Sequence, residues 1–252
     1  MARDGGTVRG IWPVLEALRS GRVVERVLLR RGPLSDQLRE VQQVARETGV
    51  PIQLVPPERL DRATKGDHQG VVAFVSEVPV QDLDEVIAKA YEAGRTPLLL
   101  ALDGVTDVRN IGAISRSAEC FGADALIVPM AGSARLGPDA IKSSAGALMR
   151  LPVCRVGNLV KALERARGHG LHIAACTEKG PHALDAGNLG QPLVLVLGSE
   201  GEGVSAPILR MADELLRIPM QGRLGSLNVS VAAGIALYAV SRSRSDAGSS
   251  GG

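Results

Sequence analysis

In the first part of the chain, the pattern of hydrophobic and polar positions changes repeatedly between the spacing of a strand and the spacing of a helix. A β-branched run over residues 23–29 predicts a strand, and residues 37–48 have the spacing of an amphipathic helix. Residues 51–55 and 70–75 predict two further strands. This mixture of short strands and helices predicts a small αβα sandwich.

From Pro97 onward the pattern repeats a strand, a loop and a helix. Strands are predicted at 98–102, 125–128, 171–175, 193–197 and 215–218, and helices at 111–121, 159–167 and 229–243. Strands that alternate with helices indicate a parallel sheet covered on both faces. The predicted fold class is therefore α/β, with a small N-terminal domain and a second domain built on a parallel sheet.

Segments with Pro, Gly and Ser between the predicted elements indicate where the domains begin and end. We expect a first domain at 7–77, a connecting segment at 78–96 and a second domain at 97–244. Residues 245–252 are rich in Ser and Gly, which predicts a disordered tail.

The composition disfavours a membrane protein, a secreted protein and a protein held together by disulfides or a metal. No apolar stretch approaches the roughly 18 to 20 residues of a membrane span, and the N-terminus lacks the apolar core of a signal peptide, so a cytoplasmic protein is expected. The three cysteines form no CxxC pair, which favours reduced thiols over a disulfide framework. Cys and His spacings match no usual ligand pattern, and we predict no metal site.

Charge is unevenly distributed along the chain. Residues 1–75 hold 12 Lys and Arg against 9 Asp and Glu, and the N-terminal excess is almost entirely arginine, whose planar guanidinium suits phosphate. A solvated helix surface is an equally good explanation of this excess. Only five residues are aromatic, which disfavours a domain that reads RNA by stacking bases on a sheet. If RNA binds, charge and shape should dominate recognition.

Three segments place candidate functional residues where a predicted strand gives way to a loop, the edge at which open α/β sheets bind ligands. In the first, Asn110 can cap a helix, Gly112 allows a close approach to its first turn, and Arg116 projects away from the core. Taken alone, this segment is equally compatible with an exposed helical arginine.

The second segment is a buried strand that ends in a loop with two glutamates, Gly198-Ser-Glu200-Gly-Glu-Gly203. Its glycine spacing is GxxGxG and differs from the dinucleotide-binding GxGxxG. Carboxylates repel phosphate, so the loop suits a cationic ligand such as S-adenosylmethionine, which has a sulfonium and an ammonium group. A tight turn with solvated carboxylates is the alternative.

The third segment joins Ile218-Pro219-Met220 to Ser226-Leu227-Asn228 and runs into the last predicted helix. Either Ser226 or Asn228 can cap that helix. The small residues of the helix permit close packing, which is also compatible with a buried, dimer-forming role.

Taken together, these segments resemble the three ordered motifs of the SpoU family of RNA ribose 2′-O-methyltransferases. The N-terminal region, through residues 8–18 and His68-Gln69-Gly70, resembles the bacterial branch that methylates a guanosine in 23S rRNA. In that branch the first domain resembles a ribosomal-protein-type RNA binder. Trp12 stands where the branch often has histidine, which puts individual RNA contacts in doubt.

The resemblance implies a SPOUT fold with a C-terminal trefoil knot, S-adenosylmethionine as cofactor, and a homodimer. It assigns Gly198, Ile218, Met220 and Leu227 to the cofactor. It assigns catalysis to Arg116, with Asn110, Glu200, Ser226 and Asn228 orienting the reactants, and leaves open whether Arg116 acts in its own subunit or across the dimer.

Three alternatives stay open at this point. The same reaction could act on a tRNA guanosine, or on the ribosomal site whose methylation gives thiostrepton resistance. The chain could be a non-catalytic RNA-binding protein that keeps the fold, although binding alone does not require Arg116, Glu200 and Asn228 together. A nicotinamide enzyme is disfavoured because the glycine fingerprint is missing.

Overall fold

The computed structural model describes residues 6–19, 23–76 and 78–249. The chain divides into two compact units, one formed by Met1–Val78 with Leu136–Pro138 and the other by Pro79–Arg135 with Asp139–Gly252. The α/β fold class with a small first unit is confirmed.

The N-terminal unit is a four-stranded sheet with helices on both faces. Its elements are β1 (Thr7–Arg9), α1 (Ile11–Arg19), β2 (Val24–Arg30), α2 (Asp36–Glu47), β3 (Ile52–Val55), α3 (Pro57–Ala63) and β4 (Val71–Val75). The strand order is β1-β4-β2-β3, in which β2 and β3 are parallel and the other pairs are antiparallel.

Alternation along β4 explains the two layers of helices. Val71, Ala73 and Val75 pack with α1 and α2, whereas Val72 and Phe74 pack with Leu60 of α3 on the opposite face. The predicted αβα arrangement is therefore confirmed. The sequence patterns missed β1 and α3, which are only 3 and 7 residues long.

The C-terminal unit is built on a seven-stranded parallel sheet. Its elements are α4 (Leu83–Glu92), β5 (Leu98–Asp103), α5 (Val108–Cys120), β6 (Ala125–Pro129), α6 (Pro138–Ser143), β7 (Val153–Val156), α7 (Leu159–Gly168), β8 (His172–Cys176), β9 (His182–Ala183), β10 (Leu193–Gly198), α8 (Ala206–Met211), β11 (Glu214–Arg217) and α9 (Val229–Ser249). The strand order is β7-β6-β5-β10-β8-β11-β9, and every pairing is parallel.

Helices cover the two faces of this sheet, as the alternation of elements predicts. Helices α4, α7 and α8 pack on one face with alternate residues of the central strands, such as Leu99 and Ala101. Helices α5 and α9 pack on each other and against β6 and β10. The strand order does not trace how the chain passes through its own loops, so the trefoil knot stays a prediction.

The predicted connection at 78–96 differs from the structure. This segment contains α4, whose Leu83, Val86 and Ile87 are buried in the core of the C-terminal unit. The unit thus begins at Pro79 rather than Pro97. The spacing of apolar residues in α4 indicates a helix, but it does not indicate in which unit the helix is buried.

The predicted disordered tail at 245–252 also differs. Helix α9 continues to Ser249, and residues 250–252 lie outside the described part of the chain. Arg244 supplies a physical reason, because its guanidinium donates to the carbonyl oxygens of Thr96 (2.7 Å), Pro97 (3.0 Å) and Gln191 (3.1 Å). These bonds anchor turns of the helix that composition alone assigns to disorder. Within the described residues, no helix is long and apolar enough to cross a membrane.

Candidate functional site

A cavity of about 460 Å³ opens where β8, β10 and β11 end. Three segments line it: residues 176–179, residues 197–203, and parts of residues 216–232. The predicted cofactor residues all line this cavity, namely Gly198, Ile218, Met220 and Leu227. Glu200 and Ser226 line it as well, so most of the predicted site is brought to one place.

The loop after β10 folds back on itself and forms one wall of the cavity. Ser199 and Gly203 exchange backbone hydrogen bonds of 3.2 and 3.0 Å. A Cβ atom at Gly198 would lie 2.0 Å from the carbonyl carbon of Gly203, and Gly203 has a φ of +70°. Only glycine allows so close an approach of two backbone segments.

Side chains from three separate segments meet beside this loop. Asn110 donates from Nδ2 to Glu200 Oε1 (3.1 Å), and Asn228 donates from Nδ2 to Asn110 Oδ1 (3.0 Å) and to Glu200 Oε1. We call these three residues the Asn–Glu–Asn junction. It links the start of α5, the β10 loop and the start of α9.

The junction settles which residues cap the two helices. Asn228 Oδ1 accepts from the backbone N–H groups of Ser230 (2.9 Å) and Val231 (3.3 Å), so its predicted capping of α9 is confirmed. The predicted cap Asn110 is wrong, because α5 begins earlier and Asp107 accepts from Arg109 N. The side chain of Asn110 is thereby left to bind Glu200 and Asn228.

Gly112 performs the predicted role in close packing. A Cβ atom there would lie 2.8 Å from the carbonyl carbon of Ser143, and the Ser143 hydroxyl donates to Val108 O at 3.3 Å. The absence of a side chain at Gly112 therefore lets α6 pack on the first turn of α5.

Arg116 is exposed on α5 and is not among the residues that line the cavity. It forms no hydrogen bond or ion pair with the described residues. Its predicted exposure is confirmed, and its catalytic role stays a prediction.

The cavity wall carries more carboxylates than cations. Glu178, Glu200 and Glu202 line it together with Lys179. This balance disfavours a phosphate ligand and favours a positively charged one. Burial raises the pKa of the Cys176 thiol, which also lines the cavity, to about 12, so the thiol stays protonated at neutral pH and is a poor nucleophile.

Residues 176–179 are the part of the site that the sequence patterns missed. They follow β8, and the rule that parallel strands end at one edge of the sheet is the signal that could have found them. Arg217 fixes the following residues, since its guanidinium donates to Gly180 O (2.8 Å) and to Pro181 O. Among the described residues, no group of His, Cys, Asp or Glu side chains is arranged to hold a metal ion.

Comparison with known families covers both units. Residues 97–238 match the SpoU rRNA Methylase family, and residues 7–81 match the RNA 2′-O ribose methyltransferase substrate binding family. The first match lies almost entirely in the C-terminal unit and the second almost entirely in the N-terminal unit.

Individual proteins are similar over most of their length. YacO of Bacillus subtilis (strain 168), assigned to the TrmH family of tRNA/rRNA methyltransferases, is 34% identical over 98% of this chain and 100% of its own length. An uncharacterized tRNA/rRNA methyltransferase of Mycolicibacterium vanbaalenii is 38% identical over 97% of this chain and 78% of its own.

Solved structures show the same similarity. The SpoU methyltransferase AviRb of Streptomyces viridochromogenes, crystallised with AdoMet, is 31% identical with a TM-score of 0.60, over 95% of this chain and 90% of its own. The A. aeolicus TrmH/SpoU tRNA modifying enzyme is 30% identical with a TM-score of 0.56, over 66% of this chain and 86% of its own.

We predict that Gly198→Ala lowers the free energy of unfolding by about 1–3 kcal/mol or more, because the new methyl group meets backbone and not a flexible side chain. Gly201→Ala is the matched control in the same loop, since a Cβ there meets nothing within 4 Å. The control should stay within about 0.5 kcal/mol of the parent. Urea unfolding followed by circular dichroism measures both, and equal stability of the two variants would contradict the prediction.

Proposed function

Because the chain belongs to the SpoU family of RNA methyltransferases, we propose that it methylates a ribose 2′-hydroxyl and that its substrate is a guanosine of 23S rRNA. The observation that carries the proposal is the carboxylate-bearing cavity at the carboxyl edge of the sheet, with the Asn–Glu–Asn junction beside it. An RNA substrate of this kind implies action in the cytoplasm.

The cavity fits S-adenosylmethionine in size and chemistry. Its volume of about 460 Å³ lies in the range of small-ligand sites. Gly198, Ile218, Met220 and Leu227 would hold the cofactor by backbone groups and apolar contact, while the carboxylates favour its positive charges. When bound, S-adenosylmethionine supplies a methyl group carried on a sulfonium.

The residues of the junction have a positioning role. Glu200 Oε1 accepts hydrogen bonds from both asparagines, and these bonds fix the position of its carboxylate in the loop after β10. Ser226 lies on another segment that lines the cavity. We assign Asn110, Glu200, Ser226 and Asn228 to the orientation of the ribose and the cofactor, because alignment of the reacting atoms is the main requirement of such a transfer.

Arg116 acts as an electrostatic clamp in this proposal. An arginine side chain stays protonated far above neutral pH, which makes it a poor general base. A charged guanidinium instead stabilises the negative charge that develops on the ribose oxygen and can bind the adjacent phosphate. Its exposure and lack of partners among the described residues leave it available for that contact.

A homodimer would bring Arg116 to the cavity of a second copy. Val231, Ile235 and Tyr238 are 50%, 38% and 56% exposed, and their i, i+4, i+7 spacing places them on one face of α9. The Tyr238 ring packs edge-on against Phe121, so this face continues onto the end of α5. We propose that a second copy covers it and that Arg116 serves the cavity of the partner.

The choice of 23S rRNA rests on the N-terminal unit. Its match to a substrate-binding family and its HQG segment favour the ribosomal branch. The TrmH/SpoU enzyme of A. aeolicus, which modifies tRNA, covers only 66% of this chain. A tRNA guanosine and the thiostrepton-resistance site remain the competing substrates.

The proposed substrate is tested by methyl transfer from labelled S-adenosylmethionine to unmodified 23S rRNA, with total tRNA as the parallel reaction. We expect label in 23S rRNA, and primer extension should map it to the ribose of one guanosine. Label in tRNA alone, or in a base, would overturn the proposed substrate.

We expect Arg116→Ala to reduce methyl transfer at least 100-fold, since one preorganised electrostatic donor contributes about 10²–10³ in rate. Calorimetry should show unchanged affinity for S-adenosylmethionine. Arg165→Ala is the control, because Arg165 pairs with Asp82 and Asp84 at the start of α4 and its helix packs on the face of the sheet opposite to α5. Turnover of Arg116→Ala equal to that of the control would remove Arg116 from catalysis.

We expect Val231→Glu with Tyr238→Glu to give a monomer in sedimentation equilibrium, because two charges on a buried face are costly to desolvate. Methyl transfer should fall in parallel. Leu54→Glu is the control, since Leu54 is 48% exposed and lies in the N-terminal unit. A double variant that sediments as the parent chain does would place the dimer contact elsewhere.

A further inference from the structure

The N-terminal unit carries an open cleft on the face of its sheet that α3 covers. The cleft has a volume of about 800 Å³. Leu28 and Phe74 lie at its base and are 3% and 6% exposed, and Arg26, Arg59 and Arg62 line it above them. One carboxylate, Glu58, lies among these three cations, so the cleft has a positive balance.

The arginines are arranged before any ligand arrives. The Cζ atom of Arg26 lies 4.5 Å from the centroid of the Phe74 ring, a cation–π contact that fixes the guanidinium against the cleft wall. Arg59 and Arg62 are i, i+3 neighbours on α3, so their side chains leave adjacent points of one helix face. Both are exposed, and neither side chain forms a hydrogen bond or ion pair with the described residues.

The start of α3 offers the cleft few backbone donors. The helix follows Pro56 and begins at Pro57, and neither proline has an N–H group. The N–H group of Arg59 donates to Pro56 O at 3.0 Å. The arginine side chains are therefore the main donors that the cleft presents to a ligand.

We propose that this cleft binds a single-stranded segment of the RNA substrate. Arg59 and Arg62 contact neighbouring phosphates, and the guanidinium plane of Arg26, supported from below by the Phe74 ring, receives the attached base. Arginine planes and apolar side chains are suited to unstacked bases, which only single strands present. The inference rests on the proposed function, because it takes the substrate to be RNA, and it adds a binding subsite to it.

The test compares two double variants that remove the same charge. Arg59→Ala with Arg62→Ala alters the cleft, and Arg39→Ala with Arg46→Ala alters α2, which packs on the opposite face of the same sheet. The probe is a labelled single-stranded fragment of 23S rRNA, and fluorescence anisotropy gives its affinity at several salt concentrations. Loss of two phosphate contacts should reduce the slope of log K against log salt by about 1.4 and weaken binding about tenfold at 0.15 M salt.

Enzyme assays separate this inference from the proposed function. If both hold, the cleft variant raises KM for RNA about tenfold, leaves kcat unchanged and keeps its affinity for S-adenosylmethionine. If the parent methylates tRNA and not 23S rRNA, the proposed substrate fails, and a tRNA-derived single strand then tests the cleft in the same way. Equal salt slopes for the cleft and α2 variants would overturn the inference.

Discussion

The close approach of Gly198 to the peptide between Gly203 and Val204 is the constraint from which the site follows. The chain leaves β10, reverses within five residues and presents Glu200 beside Asn110 and Asn228. The two asparagines are 118 residues apart in the sequence. A side chain at Gly198 would displace the loop, and the junction would lose its shared acceptor. The sheet brings the ends of its strands together, but this backbone contact determines which side chains those ends present to the cavity.

Sequence patterns predicted the central strands of the sheet better than its edge strand β7 and the end of helix α9, and the difference has a physical cause. Strands β5 and β10 are buried continuous apolar runs, which have few other interpretations. Strand β7 was missed because it is four residues long and includes the buried Arg155. The last turns of α9 were missed because Arg244 finds its carbonyl partners only in the folded chain. Local propensity cannot contain contacts between residues so distant in sequence.

The candidate site was predictable as a set of residues but not as an arrangement. Glycine loops and cap residues mark strand-to-helix transitions, so Gly198, Glu200 and Asn228 stand out in the sequence. Nothing in the spacing shows that Asn110 binds Glu200 and leaves the cap to Asp107. Residues 176–179 have no distinctive composition and enter the site only because β8 lies beside β10. The order of strands in the sheet therefore determines the part of the site, residues 176–179, that the sequence motifs do not reveal.

The charge of the cavity wall is the physical basis of the role proposed for Arg116. Carboxylates that favour a sulfonium also repel the phosphates of an RNA strand. In the proposed function the Arg116 guanidinium offsets that repulsion, and no described residue pairs with it. The wall itself is open, since its residues Met220 and Leu227 are 38% and 37% exposed. Exposed apolar residues beside a polar junction are stabilised by being covered. A second copy packed on α9 would add the missing cation, and a bound cofactor would bury part of the same wall.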